Sequence, residues 1–525
     1  MRKNKRGILN WCIIILLSLI MVGGLFCVNL YSDKLKVIPH WDFSDEQIME
    51  YGPFWITVPA RENAGLYTDV NCFTTDEEPD IIYLVLPSYV DSTNVVFYVR
   101  DGYISEYEAR RVADFSKGDV DIAGKKLRLV STDIPVLFLE AGNKAMSFAE
   151  FKDADRYDNP SIDGRIWLDG DVEGQKITIK ARGNTTWIGM HKKPYSLVFR
   201  TDVDLLGMGK NRSYNLLADA WDKTLLKNYT FNQLSKNLGL KYEPEMQHVA
   251  LYINGDFEGI YLLTTKVGKN AASDITTDLK YGDFLMNWGG MNEGQTIDFT
   301  CKDATMFAPE NAENAEANQL IPHIGLVYPE RVTKKDAKKK QEIIQRYIDA
   351  VEDASSDKYL DYFDIDSFMK FYWIQEASMN VDATARSIYS IYRADTDKIY
   401  YEPLWDMDLT LGATVEEPRY VFLNQWDVRN KGIYKALFAH DGFEELSEKA
   451  YRDYSVYEKL IDSVDTYRDE RDKISELGEL DFRIWRDEWR GDGELSECAS
   501  YLEYTDKVME MYNSRIEWID VQIRK

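Results

Sequence analysis

Apolar positions are unevenly spread along the chain, and their spacing changes character several times. From Trp11 to Val28 they run almost without a break, about one bilayer thickness if helical. Arg2, Lys3, Lys5 and Arg6 precede that run. The tendency of basic flanks to stay in the cytoplasm predicts a single-pass signal anchor in a bacterial cell membrane, with residues 32–525 outside. A cleaved signal peptide, giving a secreted protein, is the alternative. Residues 37–65 carry Pro39, Pro53 and Pro59 and read as a linker or a first irregular segment. From about Asp80, short apolar runs at Ile81–Leu86, Val95–Val99 and Leu127–Val130 are separated by turn-rich pieces, which predicts a small β module.

A second β-rich stretch begins at Ile134–Leu139, continues through the alternation of Ile177, Ile179 and Ala181, and includes Tyr195–Phe199. Between Asp222 and Leu238, the spacing of Leu225, Leu226, Phe231 and Leu234 predicts a helix with one buried face. Two apolar runs, Val249–Ile253 and Gly259–Leu263, flank Asn254-Gly255-Asp256, and Asn-Gly tolerates the positive φ of a hairpin turn. Beyond Lys334 the period becomes helical: Ile343, Ile344, Tyr347, Ile348 and Val351 form one stripe, and Phe368–Ile374 belong to another helix. Cys498, Leu502, Val508, Tyr512, Ile516 and Ile519 form a last stripe. The expected class is α+β, divided into an anchor (1–36), a linker and β module (37–132), a mixed domain (133–440) and a helical extension (441–525).

Net charge of −26 argues against nucleic acid as a partner, because phosphate backbones are gripped by clustered Lys and Arg. Of five cysteines, two fall in the apolar N-terminal run, and Cys72, Cys301 and Cys498 are too scattered for a zinc spacing or a disulfide framework. The chain lacks H-E-x-x-H and the phosphate-binding G-x-x-x-x-G-K-[ST], and its five histidines are dispersed, which disfavours histidine-based metalloenzymes and serine hydrolases. Candidate chemistry therefore rests on carboxylates and one basic cluster.

The carboxylates lie in Asn380-Val381-Asp382-Ala383-Thr384-Ala385-Arg386-Ser387 and in Trp405-Asp406-Met407-Asp408. Apolar residues at Ile388–Tyr392 and Ile399–Leu404 predict two short strands that bring Asp382 close to Asp406. Phosphoryl transfer from a metal nucleotide needs such a set, with one carboxylate to orient or deprotonate the attacking hydroxyl and others to hold the divalent ion. Asp382 suits the first role and Asp406 the second. An Asp before a strand also caps turns, so the pattern alone leaves a structural role open. The basic cluster is Lys180-Ala181-Arg182-Gly183-Asn184-Thr185-Thr186-Trp187 followed by Lys192-Lys193-Pro194-Tyr195. A glycine-bearing turn exposing N–H groups, with a lysine on the next strand, can meet phosphates, and it can equally be a solvated strand edge.

R-G-N-T-T-W with K-K-P-Y at 182–195, Tyr214–Asp222, the hairpin at 251–263 and W-D-M-D-L-T-L-G at 405–412 occur in an order that resembles the spore coat protein H (CotH) kinases, over roughly residues 134–420. The resemblance implies a two-lobed, protein-kinase-like domain with a β-rich N-lobe and a helical C-lobe. It implies transfer of the ATP γ-phosphoryl group to Ser or Thr of surface or coat proteins, or of the chain itself, with Mg or Mn. It also implies Asp382 as the catalytic carboxylate and Asp406, Asp408 and Ser387 at the metal. Arg182, Asn184, Lys192 and Lys193 fall to the nucleotide. The chain departs from the family pattern twice: Ser387 stands where a metal-binding Asn is expected, and Thr265-Lys266 follow the hairpin where the family has Glu. Those departures keep a second class in view, a kinase-shaped structural or glycan- or protein-binding component of the cell envelope.

Overall fold

The computed structural model describes residues 54–59, 67–100, 108–122, 125–142, 146–167, 175–268, 275–289, 296–297, 324–384, 386–411, 423–488 and 493–525. The expected anchor at 11–28 lies outside them, and among the described residues no helix is long and apolar enough to cross a membrane.

The predicted β module is present and larger than its apolar runs suggest. Strands β1 (Phe54–Pro59), β2 (Tyr67–Asn71), β5 (Val95–Arg100) and β6 (Glu108–Ala113) form one sheet, ordered β2-β1-β5-β6. Strands β3 (Phe73–Thr75), β4 (Glu78–Pro87), β7 (Val120–Ile122) and β8 (Lys125–Thr132) form a second, with β4 parallel to β8. The stretch expected as a linker thus contains a strand, with Pro59 tolerated as its last residue. The module is docked on the hairpin at 251–263: Phe73 stacks on Phe257 at 5.3 Å, and the Tyr252 hydroxyl donates to the Val85 carbonyl at 2.9 Å.

Seven strands then close into a barrel. These are β9 (Val136–Ala141), β10 (Ser161–Ile166), β11 (Gln175–Ala181), β12 (Tyr195–Asp204), β13 (Lys210–Leu217), β14 (Met246–Ile253) and β15 (Asp256–Thr265), ordered β10-β11-β12-β13-β15-β14-β9. Parallel pairing of β14 with β9 completes the ring, so this part has no open edge. Alternation sends Ile177, Ile179, Leu197, Tyr214, Leu216, Tyr261 and Leu263 into the interior. The predicted hairpin is β14–β15, with φ of 54° at Asn254 and 88° at Gly255. Strands β10 and β13 were not expected. Gly164 in β10 sits so close to β9 and β11 that a Cβ there would lie 2.7 Å from the Glu140 carbonyl oxygen.

The longest helices are α1 (Lys227–Leu238), between β13 and β14, and, after the barrel strands, α2 (Lys334–Glu352), α3 (Ile365–Ser378), α4 (Val456–Ile484) and α5 (Tyr501–Ile523). Helix α1 begins later than predicted because the Asp222 carboxylate accepts from the N–H groups of Thr224, Leu226 and Lys227, holding a turn ahead of it. A further sheet holds β16 (Phe284–Trp288), β17 (Thr296–Ile297), β18 (Ile324–Tyr328), β19 (Ile388–Arg393) and β20 (Lys398–Tyr400), ordered β17-β18-β16-β19-β20, and its first three strands were not expected. Strands β19 and β20 are the predicted pair. In α5 the stripe shifts: Val508, Tyr512, Ile516 and Ile519 are buried as expected, but Leu502 is exposed and Tyr501 and Tyr504 fill the core instead.

Residues 441–525, expected as a helical extension, pack against the rest of the described fold. Asp481 of α4 pairs with Lys192 at 2.7 Å, and Glu470 meets His248 of β14 at 2.7 Å. Arg515 of α5 forms a solvent-free ion pair with Glu376 of α3 at 2.5 Å. These helices complete the core against both the barrel and α3.

Candidate active site

Helix α3 ends at Met379 in a left-handed cap, and the chain turns into the loop that carries Asp382. The Asp382 N–H donates to Asn380 Oδ1 at 3.0 Å, and the Asp382 carbonyl accepts from the Arg386 N–H at 3.1 Å. Two backbone bonds, Val381 N–H to Leu409 O at 3.1 Å and Leu411 N–H to Ser378 O at 2.9 Å, lay this loop beside the one carrying Asp406 and Asp408. The predicted approach of the two acidic segments is therefore present. Ser387 Oγ donates to Asp406 Oδ2 at 2.7 Å, and both residues have left-handed φ, 57° and 64°. Such angles cost about 1 kcal/mol or more at non-glycine positions and collect at functional sites.

Charge concentrates here. Burial and then the charges of Asp406, Asp219, Asp382 and Asp222 hold the Asp408 carboxyl well above the ordinary carboxylate range. Asp219 is a member that pattern reading passed over. It is buried, has φ of 45°, and accepts from Asn228 Nδ2 at 2.8 Å, while Asn228 Oδ1 accepts from the Met407 N–H at 2.7 Å, between the two metal candidates. Asp219 Oδ2 is buried without a hydrogen-bond partner, and burial followed by Asp222 raises its pKa to about 6.

The facing cations come from the end of β11 and the end of β15. Arg182 lies 5.1 Å over the Trp405 ring and within electrostatic reach of Asp406, Tyr389 and Asp408. Lys266 has its pKa lowered by burial and by Arg182 and Lys180, so these three cations share one region. Lys266 directly follows Thr265, the position where the sequence departs from the family pattern. Gly183 turns with φ of 69°, and Asn184 stands exposed at the start of the helical turn Thr185–Gly189 without capping it.

The two adjacent lysines are occupied elsewhere. Lys192 Nζ donates to Asp481 Oδ1 and to the Ile260 carbonyl, both at 2.7 Å, at 1% exposure, which corrects its expected role as a phosphate ligand. Lys193 Nζ donates to the Trp187 carbonyl and lies 5.6 Å over that ring. Both lysines lie in the loop ahead of β12, where Asp481 and the Ile260 carbonyl hold one and the Trp187 carbonyl holds the other.

Hard carboxylate oxygens suit a divalent ion such as Mg or Mn, and the crowded charges around Asp408 and the orphaned oxygen of Asp219 are what such an ion would relieve. Among the described residues no three side chains of His, Cys, Asp or Glu form a complete metal cage.

The described fold is thus mixed α+β, with a carboxylate-rich floor lying within electrostatic reach of Arg182. Residues 179–476, more than half of the chain, match the family model described as CotH kinase protein, and the chain belongs to that family. No curated protein matches it. Membership implies a kinase-like fold and, in general, ATP with a divalent metal.

Proposed function

We propose that this protein transfers the γ-phosphoryl group of ATP to Ser or Thr hydroxyls of surface or coat proteins, from the outer side of a bacterial membrane to which its N-terminal segment anchors it. The supporting observation is the juxtaposition of Asp382, Asp406 and Asp408 on one floor, with Arg182 above. Asp382 orients the acceptor hydroxyl and takes its proton as the oxygen attacks the γ-phosphorus. The bond from that phosphorus to the bridging oxygen breaks and ADP leaves. Asp406 and Asp408 are the residues to hold Mg or Mn, which supplies charge neutralisation at the phosphates. Ser387, through its bond to Asp406 Oδ2, orients that carboxylate. Arg182 supplies a permanent, planar cation to phosphate oxygens, the part the sequence reading shared with Lys192 and Lys193.

Phosphate incorporation into the chain or into a coat-protein mixture, with Mg and separately Mn, tests this. Incorporation must vanish in Asp382→Ala and in Asp406→Ala. No incorporation together with no metal-dependent ATP binding in the wild type would favour the envelope-binding alternative, toward which Ser387 in place of Asn points.

A further inference from the structure

The outer wall of the barrel buries an amide whose hydrogen-bonding capacity is unspent. Lys180 pairs with Ser196, Ser196 with Asn215 and Asn215 with Thr264, so the four share one row across β11, β12, β13 and β15. Tyr214 and Leu216 point into the barrel, so alternation turns Asn215 and Leu217 outward. Leu217 packs with Leu262, Val267 and Trp405, and Tyr389 lies against that group. Trp405 is the ring under Arg182 and the neighbour of Asp406. Asn215 therefore borders an apolar patch whose far side is the carboxylate floor.

Asn215 is 2% exposed. Its Oδ1 accepts from Ser196 Oγ at 2.8 Å, and its Nδ2 is buried with no partner. Exchanging the two amide ends would leave Oδ1 unspent instead, so one end is available in either orientation. Buried polar groups are otherwise nearly always satisfied, which makes this one a candidate for a ligand.

We propose that Asn215 reads the base of the bound nucleotide and selects adenine, a proposal that rests on the phosphotransfer reading above. A carboxamide presents a donor beside an acceptor, matching N7 and the N6 amino group of adenine, and Oδ1 keeps a second lone pair after Ser196. Guanine presents two acceptors on the same edge and would face Oδ1 with O6. Tyr389, half-buried against the Leu217–Leu262 cluster, supplies an apolar face for the base, while Lys180 on β11 and Arg182 just past it lie on the side of the phosphates.

The test is equilibrium binding of non-hydrolysable ATP and GTP analogues and of inorganic triphosphate to the full chain with Mn. The wild type is expected to prefer the adenine analogue by about 10- to 100-fold. Asn215→Ala should erase that preference and leave triphosphate affinity unchanged. Asn215→Asp, which only accepts, should weaken binding of the adenine analogue, because one carboxylate oxygen would face the N7 acceptor. Ser196→Ala leaves the amide in place but unoriented, and should reduce the preference even if Asn215→Ala folds poorly. An unchanged adenine-to-guanine ratio in Asn215→Ala and Ser196→Ala overturns the assignment alone. Failure of the wild type to bind any of the three probes overturns the phosphotransfer reading with it.

Discussion

Two buried charge clusters border the barrel, and they are built on different principles. Where α4 meets the barrel, Lys192 is paired with Asp481, and Asp481 Oδ1 also accepts from the Ile260 N–H at 2.8 Å. Glu488 accepts from the Lys192 N–H, so every charge at that seam has a protein partner. In the cleft, Asp408 is surrounded by four other carboxylates, Asp219 keeps an unsatisfied oxygen, and Ser387 and Asp406 are held at strained φ. A satisfied cluster stabilises the fold and asks nothing of a ligand. A cluster with excess charge of one sign lowers stability until something positive arrives, and that asymmetry marks the functional one.

The largest expected effect falls on the cleft. Asp382→Ala should lower the rate of phosphoryl transfer by about 10²- to 10⁴-fold, the usual worth of a positioned base, and leave the thermal midpoint within a few degrees of wild type. An inactive variant that is also unfolded would remove the distinction between the clusters. At the seam the outcome should reverse: Lys192→Met strands Asp481 and should cost about 3–5 kcal/mol in a urea titration, while Lys192→Met with Asp481→Leu recovers much of it. Nucleotide affinity of the folded fraction should not change, which checks that Lys192 serves structure and not phosphate.

Glu243 gives an intermediate case. It is buried, accepts from the Leu404 N–H at 2.9 Å just ahead of Trp405, and burial raises its pKa to about 8. The unfolded chain releases that proton near pH 4.5 and the folded chain holds it to about 8, so the folded state binds more protons in between. Its contribution to stability is thus complete below pH 4.5 and declines as pH rises toward 8. Glu243→Gln should flatten that decline, by about 4–5 kcal/mol at pH 8, in denaturant titrations across the range. The smallest effect belongs to exposed pairs: breaking Arg346–Asp397, half-exposed on both sides, with Arg346→Ala should change stability by less than about 1 kcal/mol.

The same contrast explains what was legible in the chain. Alternation and the Asn254-Gly255 turn located β9, β11, β12, β14 and β15, because each has one face in the barrel and one outside. Strand β10, Ser161–Ile166, escaped because Asp163 and Gly164 interrupt its apolar pattern. The acidic floor was visible because loops of Asp and Asn between strands are conspicuous locally. Asp219 was not, since its part depends on Asn228 and Met407 from distant segments. Lys192 and Lys193 misled for the complementary reason: adjacency in sequence says nothing about Asp481, which is 289 positions away.

The Glu376–Arg515 pair carries a consequence for how the protein is made. Glu376 also accepts from the N–H groups of Asp427 and Arg429, and Arg515 reaches the Leu423 and Gln425 carbonyls, so one ion pair ties the helix leading to Asp382 to residues 423–429. The two partners are 139 positions apart in sequence. During synthesis from the N-terminus the barrel can close long before Arg515 emerges, yet the Asp382 loop lacks its brace until α5 has been released. Assembly of the reactive floor is deferred to a late stage of translation, and a truncation of the last turns of α5 should leave a folded barrel bearing an unfinished catalytic half.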